Sequence, residues 1–250
     1  MIDIHTHLLP GVDDGSPSIE YSLSILASFL AAGVEKVVCT PHLNASSVAT
    51  APFEHHEALL AELRAKAPAG IHVLPGWEIM LDVPGVRFAD SRLRLGESTA
   101  ILVEFPHTTL PPNAAAELFQ IRMSGNVPVV AHPERYGGCT IELVNEWRRA
   151  GAVIQMDVTA ILGSSQMSSL SRALLSAGMC DVFASDTHVD NRSLAPVREW
   201  LLEFATSEHA QLLTRTNAER LLSNQQTLPV PPLQFDTGIL SRLRKLVFRR

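Results

Sequence analysis

The first sixteen residues of the chain, MIDIHTHLLPGVDDGS, place two histidines at the end of a short apolar strand. Two isoleucines alternate there with polar neighbours, and alternate side chains of a strand share a face, so His5 and His7 are expected to point to the same side. The acidic pair Asp13 and Asp14 follows within the same loop. An isolated His-x-His is more often a surface pair than a metal site. The motif therefore gains significance only if other strands end in the same way.

Strand-like runs alternate with helix-sized segments along the rest of the chain, in parallel βα fashion. The predicted strands after the first are 34–39, 71–74, 100–103, 127–131, 153–158 and 181–184, and the predicted helices are 18–32, 54–66, 113–123, 142–150, 168–177, 194–204 and 218–222. Ser16 and Pro17 are expected to open the first helix. Seven strands at this spacing predict a (β/α)7 barrel rather than an open sheet, and 250 residues suffice for one such domain.

Most of these strands end in a histidine or a carboxylate. Functional side chains of parallel barrels lie at the carboxyl ends of the strands, so residues distant in sequence are expected to meet there. The predicted ligands are His5, His7, His42, Glu78, Glu104, His132, Asp186 and His188. Strand 153–158 is the exception, because its Gln155 and Asp157 receive no role. His107, three residues after Glu104, is left open between a structural histidine and one that lines the same mouth.

Imidazoles mixed with carboxylates, without a thiolate, favour Mn, Fe, Zn or Co ions, and the groups outnumber the ligands that one ion accepts. At least two metals are therefore predicted. Two neighbouring ions can share a bridging hydroxide and clamp the oxygens of a phosphoryl transfer, which predicts hydrolysis. A cysteine nucleophile is not expected, because none of Cys39, Cys139 and Cys180 is followed six residues later by the arginine of a cysteine-phosphatase loop.

Composition and charge indicate the compartment of the protein and the partners that are disfavoured. The net charge of -6 and the lack of a long basic run disfavour nucleic acid as a partner. Three cysteines are too few and too irregular for a disulfide framework, which favours a reducing compartment. No basic segment followed by an apolar run opens the chain, and no stretch approaches the roughly 20 apolar residues of a membrane helix. These features predict a cytoplasmic protein.

Five motifs together carry a family resemblance: HTHLLPGVDDGS at 5–16, TPH at 40–42, EFP at 104–106, AHPERY at 131–136 and SDTH at 185–188. Over residues 1 to about 223 the chain resembles the PHP (polymerase and histidinol phosphatase) superfamily. The opening motif and the HPERY motif resemble more specifically the bacterial manganese-dependent protein-tyrosine phosphatases of capsule and exopolysaccharide operons, the CpsB/YwqE type.

The resemblance implies a distorted TIM-like PHP barrel with three divalent metal ions, manganese being the expected metal and Fe, Co, Zn or Mg the alternatives. The implied ligands are His5, His7, Glu78 and Asp186 for one ion, Glu78, Glu104 and His132 for a second, and Asp14, His42 and His188 for a third. Asp14 is thus added, in preference to Asp13. The resemblance also implies that Arg135 and Arg192 bind the phosphate, and that the substrate is a phosphotyrosine protein, a bacterial tyrosine kinase with a tyrosine-rich tail.

Two other functions share the same ligands. One is a small-molecule phosphate-ester hydrolase such as a histidinol-phosphate phosphatase, which would differ only at the rim of the pocket. The other is a non-catalytic, metal-stabilised regulatory module. For Arg135 the alternative is a surface arginine paired with Glu134.

The segment 224–250 differs from the rest of the chain. Prolines interrupt it, and leucines then alternate with arginines and lysine over 239–250, as on a short basic amphipathic helix. The pattern suggests contact with a membrane face or self-association, and the alternatives are a helix docked on the barrel or a disordered end.

Overall fold

The computed structural model describes residues 1–162, 166–190 and 192–235. Within these ranges the strands are β1 (Ile2–Thr6), β2 (Lys36–Cys39), β3 (His42–Asn44), β4 (His72–Pro75), β5 (Glu78–Met80), β6 (Ala100–Glu104), β7 (Val127–Val130), β8 (Val153–Asp157) and β9 (Val182–Ala184). The helices are α1 (Ile19–Ala31), α2 (Phe53–Lys66), α3 (Ala114–Met123), α4 (Ile141–Arg149), α5 (Thr159–Leu162), α6 (Gln166–Ser176), α7 (Leu194–Phe204), α8 (Ser207–Gln211) and α9 (Asn217–Leu222).

The strands pair in parallel, which confirms the mixed α/β fold with parallel sheets. They form one sheet in the order β1-β2-β4 and a second in the order β3-β5-β6-β7-β8-β9. The chain that follows β9 also reaches β1: the backbone N–H of His7 donates to Thr187 O at 2.9 Å, and that of Asp186 donates to His5 O at 2.9 Å. Ser185 N donates to Asp3 Oδ1 at 3.1 Å. A closed (β/α)7 barrel stays a prediction.

The prediction of seven strands was wrong, because it missed the two short strands β3 and β5. After Pro41 the chain resumes pairing as β3, and after Trp77 it resumes as β5, so that His42 faces Glu78 in the new ladder. Pro41 cannot donate to a ladder, which ends the first pairing. Gly76 lies against the neighbouring strand, because a Cβ there would be 2.7 Å from Val38 Cγ1. These two breaks shift the chain from one sheet to the other just before the candidate ligands.

Both faces of the strands are buried, as expected when helices cover a parallel sheet. Ile101 and Val103 pack in a large cluster that includes the helices, whereas Ala100 and Leu102 pack in a second cluster made mostly of other strand residues. Hydrophobic residues therefore fill the space on each side of β6, and polar residues remain where the strands end.

The N-cap of the first helix lies two residues later than expected. Its N-cap is Ser18, whose Oγ accepts from the backbone N–H of Tyr21 at 3.3 Å. Ser16 is fully buried instead, and its hydroxyl lies 2.6 Å from that of Ser22. Ser16 thus ties the opening loop to the body of α1.

The segment after α9 packs onto the domain. Val230 and Leu233 are 4% and 3% exposed, and Leu233 N donates to Leu175 O at 3.0 Å. Contacts with the domain therefore continue beyond residue 223, and the domain boundary predicted there stays a prediction. The basic segment at 239–250 lies outside the described residues. No helix of the described ranges combines the length and apolar character needed to cross a membrane.

Gly15 is the tightest point of the opening loop. The backbone N–H of Ser16 donates to His7 O at 2.8 Å, and a Cβ on Gly15 would lie 2.2 Å from that oxygen. We expect Gly15→Ala to lower the free energy of unfolding by about 3 kcal/mol, because the loop must move away from His7. Chemical denaturation measures this. Gly137→Ala, whose Cβ would lie 3.3 Å from the nearest atom, serves as the control. Equal stability of the two variants would contradict the argument.

Candidate metal centre

Four buried side chains converge at the end of β1. The Nε2 atoms of His5 and His7 lie 3.2 Å apart, and each is 3.2–3.3 Å from Glu78 Oε2 and Asp186 Oδ1. All four residues are at most 1% exposed. Two imidazole nitrogens and two carboxylate oxygens therefore face one point in space.

The other predicted ligands surround this group. His42 Nδ1 lies 3.0 Å from Glu78 Oε2, and His132 Nε2 lies 2.8 Å from Glu78 Oε1. Glu104 Oε2 is 3.9 Å from His132 Nε2. Asp14 Oδ1 joins the opposite side, 3.2 Å from His42 Nε2 and 3.4 Å from His188 Nε2. The structure thus brings all nine predicted ligands into one continuous cluster.

The backbone is strained at two of these residues. His132, two residues after the end of β7, has φ 31°, and Asp186, two residues after the end of β9, has φ 48°. Left-handed conformations are uncommon for residues other than glycine and cost about 1–3 kcal/mol each. Such strain persists only where the surrounding structure holds the backbone in place. Here it directs the side chain of His132 toward Glu78 and that of Asp186 toward His5.

Hydrogen bonds set which imidazole nitrogen faces the cluster. Gln155 Oε1 accepts from His5 Nδ1 at 3.1 Å, and Asp13 Oδ2 accepts from His7 Nδ1 at 2.7 Å. With Nδ1 occupied, Nε2 of each ring is left for a metal. Sequence reasoning gave Gln155 and Asp13 no such role. The signal for Gln155 was its place in β8, where polar side chains at 155 and 157 share one face of an otherwise apolar strand.

The charges of the cluster depend on one another. Burial disfavours the charged form of His5, but the carboxylates of Glu78 and Asp186 outweigh it and raise the pKa of His5 to about 9. Burial would also raise the pKa of Glu78, yet His5, His132 and His42 hold it well below its ordinary value. The carboxylates of Glu78 and Asp186 are therefore ionised and attract cations.

This donor set fits divalent metal ions. Closely spaced imidazole nitrogens and ionised carboxylate oxygens are the ligands of Mn, Fe, Co and Zn sites. Among the residues that the structure describes, four groups of such side chains have all their potential ligand atoms within 4.8 Å of one another. One of these groups adds His107, whose Nε2 lies 3.2 Å from Glu104 Oε2, to Glu104 and His132. The residue left open by the sequence thus lines the cluster.

The two predicted phosphate-binding arginines lie beside the cluster. Arg135 Nη2 is 2.5 Å from Asp186 Oδ2 and also contacts Asp157 Oδ2, and Arg192 Nη1 is 3.2 Å from the same Asp157 oxygen. Glu134 is not the partner of Arg135: it is buried, and its Oε1 accepts from the backbone N–H of Asp157 at 2.7 Å. The alternative of a surface pair between Arg135 and Glu134 was therefore wrong.

A cavity of about 360 Å³ opens over the cluster, with Arg135 in its wall and Asn44 and Met80 at its side. A second cavity of about 510 Å³ lies between α2 and the segment that precedes β6. None of the nine predicted metal ligands lines it, and the arginines and glutamates of its lining are Glu57, Arg64, Arg92, Arg94 and Glu97. The smaller cavity is lined both by predicted metal ligands and by Arg135, whereas Arg192 is not among its lining residues.

Comparison with known proteins gives a consistent result. Residues 1–223 match the family described as capsular polysaccharide synthesis, CpsB/CapC. The chain is 30% identical to the tyrosine-protein phosphatase YwqE of Bacillus subtilis over 93% of this chain and 95% of that protein. It is 29% identical to the tyrosine-protein phosphatase CpsB of Streptococcus pneumoniae, over 77% and 85%.

Comparison with solved structures leads to the same family. A structure from a study of YwqE and CpsB, described as unique metal-dependent tyrosine phosphatases, superposes with a TM-score of 0.76 at 28% identity. It covers 94% of this chain and all of the matched chain. A chain of an archaeal ribonuclease P superposes with a TM-score of 0.55 at 10% identity, which shows a shared fold only.

The raised pKa of His5 has a measurable consequence. Below pH 9 the metal-free cluster holds a proton on His5, and a metal needs the neutral ring, so metal binding must release that proton. We expect the affinity for Mn²⁺ to rise with pH up to about 9. Calorimetric titration at pH 7 in buffers of different ionisation enthalpy counts the protons. Binding without proton release would contradict the charge assignment.

Proposed function

The chain belongs to the CpsB/CapC family of capsular polysaccharide synthesis, and on that premise we propose that it is a metal-dependent protein-tyrosine phosphatase. The observation that carries the proposal is the cluster of the nine predicted ligand residues, with Arg135 lining the same cavity. Relatives that match nearly the whole chain bear the name tyrosine-protein phosphatase.

Three divalent ions, with manganese as the expected metal, would be held by the three ligand sets. The first set is His5, His7, Glu78 and Asp186, the second is Glu78, Glu104 and His132, and the third is Asp14, His42 and His188. Such ions supply Lewis acidity and a hydroxide nucleophile at neutral pH. Gln155 and Asp13 orient the rings of two of these ligands, His5 and His7.

Charge explains why a phosphate would enter. Three divalent ions would more than balance the carboxylates of Asp14, Glu78, Glu104 and Asp186, leaving two formal positive charges. Arg135 adds a guanidinium that can make parallel hydrogen bonds to two phosphate oxygens. Tyrosine, with a pKa near 10, is an easier leaving group than serine, so its departure needs less protonation.

We infer that the physiological substrate is a phosphotyrosine protein of the capsule or exopolysaccharide pathway, namely a bacterial tyrosine kinase with a tyrosine-rich tail. The family description supports the pathway.

We also infer that the two sheets are parts of one distorted (β/α)7 barrel of the PHP type. The bridge between Thr6 and Thr187, where β1 meets the chain after β9, supports this.

The first test is chelation against cysteine replacement. Burial raises the pKa of Cys39 to about 12 and that of Cys139 to about 12, so neither is a thiolate at neutral pH. We expect a variant with all three cysteines replaced by alanine to keep most activity on a phosphotyrosyl peptide. EDTA should abolish activity, and Mn²⁺ should restore it. Full activity of the chelated enzyme would refute the metal-dependent reaction.

The same assay with histidinol phosphate tests the substrate class. A preference for the peptide in kcat/KM supports the tyrosine phosphatase, and a preference for histidinol phosphate points to a small-molecule hydrolase. Failure of the metal-loaded protein to hydrolyse either ester would leave a non-catalytic module.

The second test concerns Arg135. We expect Arg135→Ala to lower kcat/KM for a phosphotyrosyl peptide roughly 100-fold, about 3 kcal/mol, with metal content retained. Arg135→Lys should also lose activity, because an ammonium group cannot make the paired hydrogen bonds. Arg148→Ala is the control, since Arg148 pairs with Asp181 away from the cluster. Wild-type turnover by metal-loaded Arg135→Ala would remove Arg135 from the site.

A further inference from the structure

Asp157, the last residue of β8, lies between the two arginines of the site. It is 1% exposed. Its Oδ2 contacts Arg135 Nη2 and lies 3.2 Å from Arg192 Nη1. Arg135 follows β7 and Arg192 precedes α7, so two separate loops meet at one carboxylate oxygen.

We propose that Asp157 is a positioning residue that holds Arg135 and Arg192 at the spacing needed to bind the phosphate group of the substrate. This proposal rests on the proposed phosphatase function. It deepens that function, because it assigns phosphate affinity to a residue that is neither a metal ligand nor a phosphate contact.

The carboxylate of Asp157 is itself held in place. Its Oδ1 accepts from the backbone N–H of Thr159 at 2.6 Å and from the Thr159 hydroxyl at 2.7 Å. Its own backbone N–H donates to Glu134 Oε1 at 2.7 Å. One oxygen is thus anchored to the chain beyond β8, and the other is left for the arginines. A carboxylate fixed in this way can set the position of flexible arginine side chains.

Charge makes the position of Asp157 important. Two guanidinium groups that approach one phosphate also repel each other, and a buried carboxylate that touches both reduces this repulsion. Arg192 has a second partner, Asp190, whose Oδ2 lies 2.6 Å from its Nε. If Asp157 were neutral, the nearest carboxylate left to Arg192 would be that of Asp190 on its own loop, with Asp186 Oδ2 farther away at 3.6 Å from Nη1. Arg135 would keep only Asp186, a candidate metal ligand.

The contacts of Asp157 also leave part of the Arg135 guanidinium available. Arg135 meets both carboxylates through the single atom Nη2, and Arg192 meets Asp157 through Nη1. The remaining guanidinium donors of Arg135, which lines the cavity, are the ones that a phosphate can engage. Asp157 therefore engages Nη2 of Arg135 and leaves Nε and Nη1 for the phosphate.

The test is Asp157→Asn in the full-length, Mn²⁺-loaded enzyme. The amide keeps the size of the side chain but loses the charge that pairs with two guanidiniums. We expect KM for a phosphotyrosyl peptide to rise roughly 10-fold, and inhibition by inorganic phosphate to weaken by a similar factor, with kcat changed less than about 3-fold. Metal content should be unchanged.

Asp181→Asn is the matched control. Asp181 is also a buried aspartate, and it is paired with Arg148 at 3.1 Å, away from the metal cluster. We expect it to lower the melting temperature without raising KM. Equal KM increases in the two variants would mean that loss of any buried ion pair has this effect, and would overturn the proposal.

A second variant guards against misfolding of Asp157→Asn. Thr159→Val removes one hydrogen bond from Asp157 Oδ1 and leaves every charge in place. A smaller increase in KM, in the same direction, is expected. Unchanged KM and unchanged phosphate inhibition in both variants would refute the positioning role.

The dependence on the arginines is tested by combining variants. In a background that carries Arg135→Ala and Arg192→Ala, Asp157→Asn should raise KM no further, because nothing is left to position. A full additional increase would overturn the proposal. Calorimetric titration with inorganic phosphate measures the same effect without turnover, so failure of the phosphatase assay and failure of this proposal are distinguishable.

Discussion

The structure depends on the attraction between buried carboxylates and the positive groups around them. Glu78 and Asp186 are 1% exposed, and each lies within 3.3 Å of the Nε2 atoms of both His5 and His7. A buried ionised carboxylate is costly unless it is paired, so the strands that bring these residues together must also bring the imidazoles and arginines. The left-handed backbone at His132 and Asp186 is a further cost of the same convergence.

Much of this could be predicted from the sequence, because a parallel strand that ends in a histidine or a carboxylate is visible as a pattern. Residues inside a strand were harder to assign. The predicted strand 153–158 places Gln155 and Asp157 inside the strand, whereas the predicted ligands lie at strand ends or just after them. The strands β3 and β5 have three residues each, too few for any alternation to be recognised. His42 and Glu78 were identified as ligands all the same, since their chemistry did not depend on how their backbone is paired.

Resemblance and geometry contributed different things. The resemblance separated Asp14 from Asp13, which the sequence pattern alone could not do, and in the structure Asp14 faces His42 and His188 whereas Asp13 accepts from His7 Nδ1. Geometry in turn identified the partners of the arginines. Adjacent residues in the sequence, Glu134 and Arg135, point to different places, because Glu134 binds the backbone of β8 and Arg135 turns to the cavity.

The contact between β1 and the chain after β9 has a consequence for the order in which the protein folds. Asp3 and Ser185 are 182 residues apart in sequence, and their hydrogen bond lies just below the ligands. Contacts between such distant segments close late and slow the folding of a chain. During synthesis, His5 and His7 emerge long before Asp186 and His188 can join them. A growing chain that stops short of β9 cannot assemble the complete cluster, so catalytic competence and completion of the fold should arrive together.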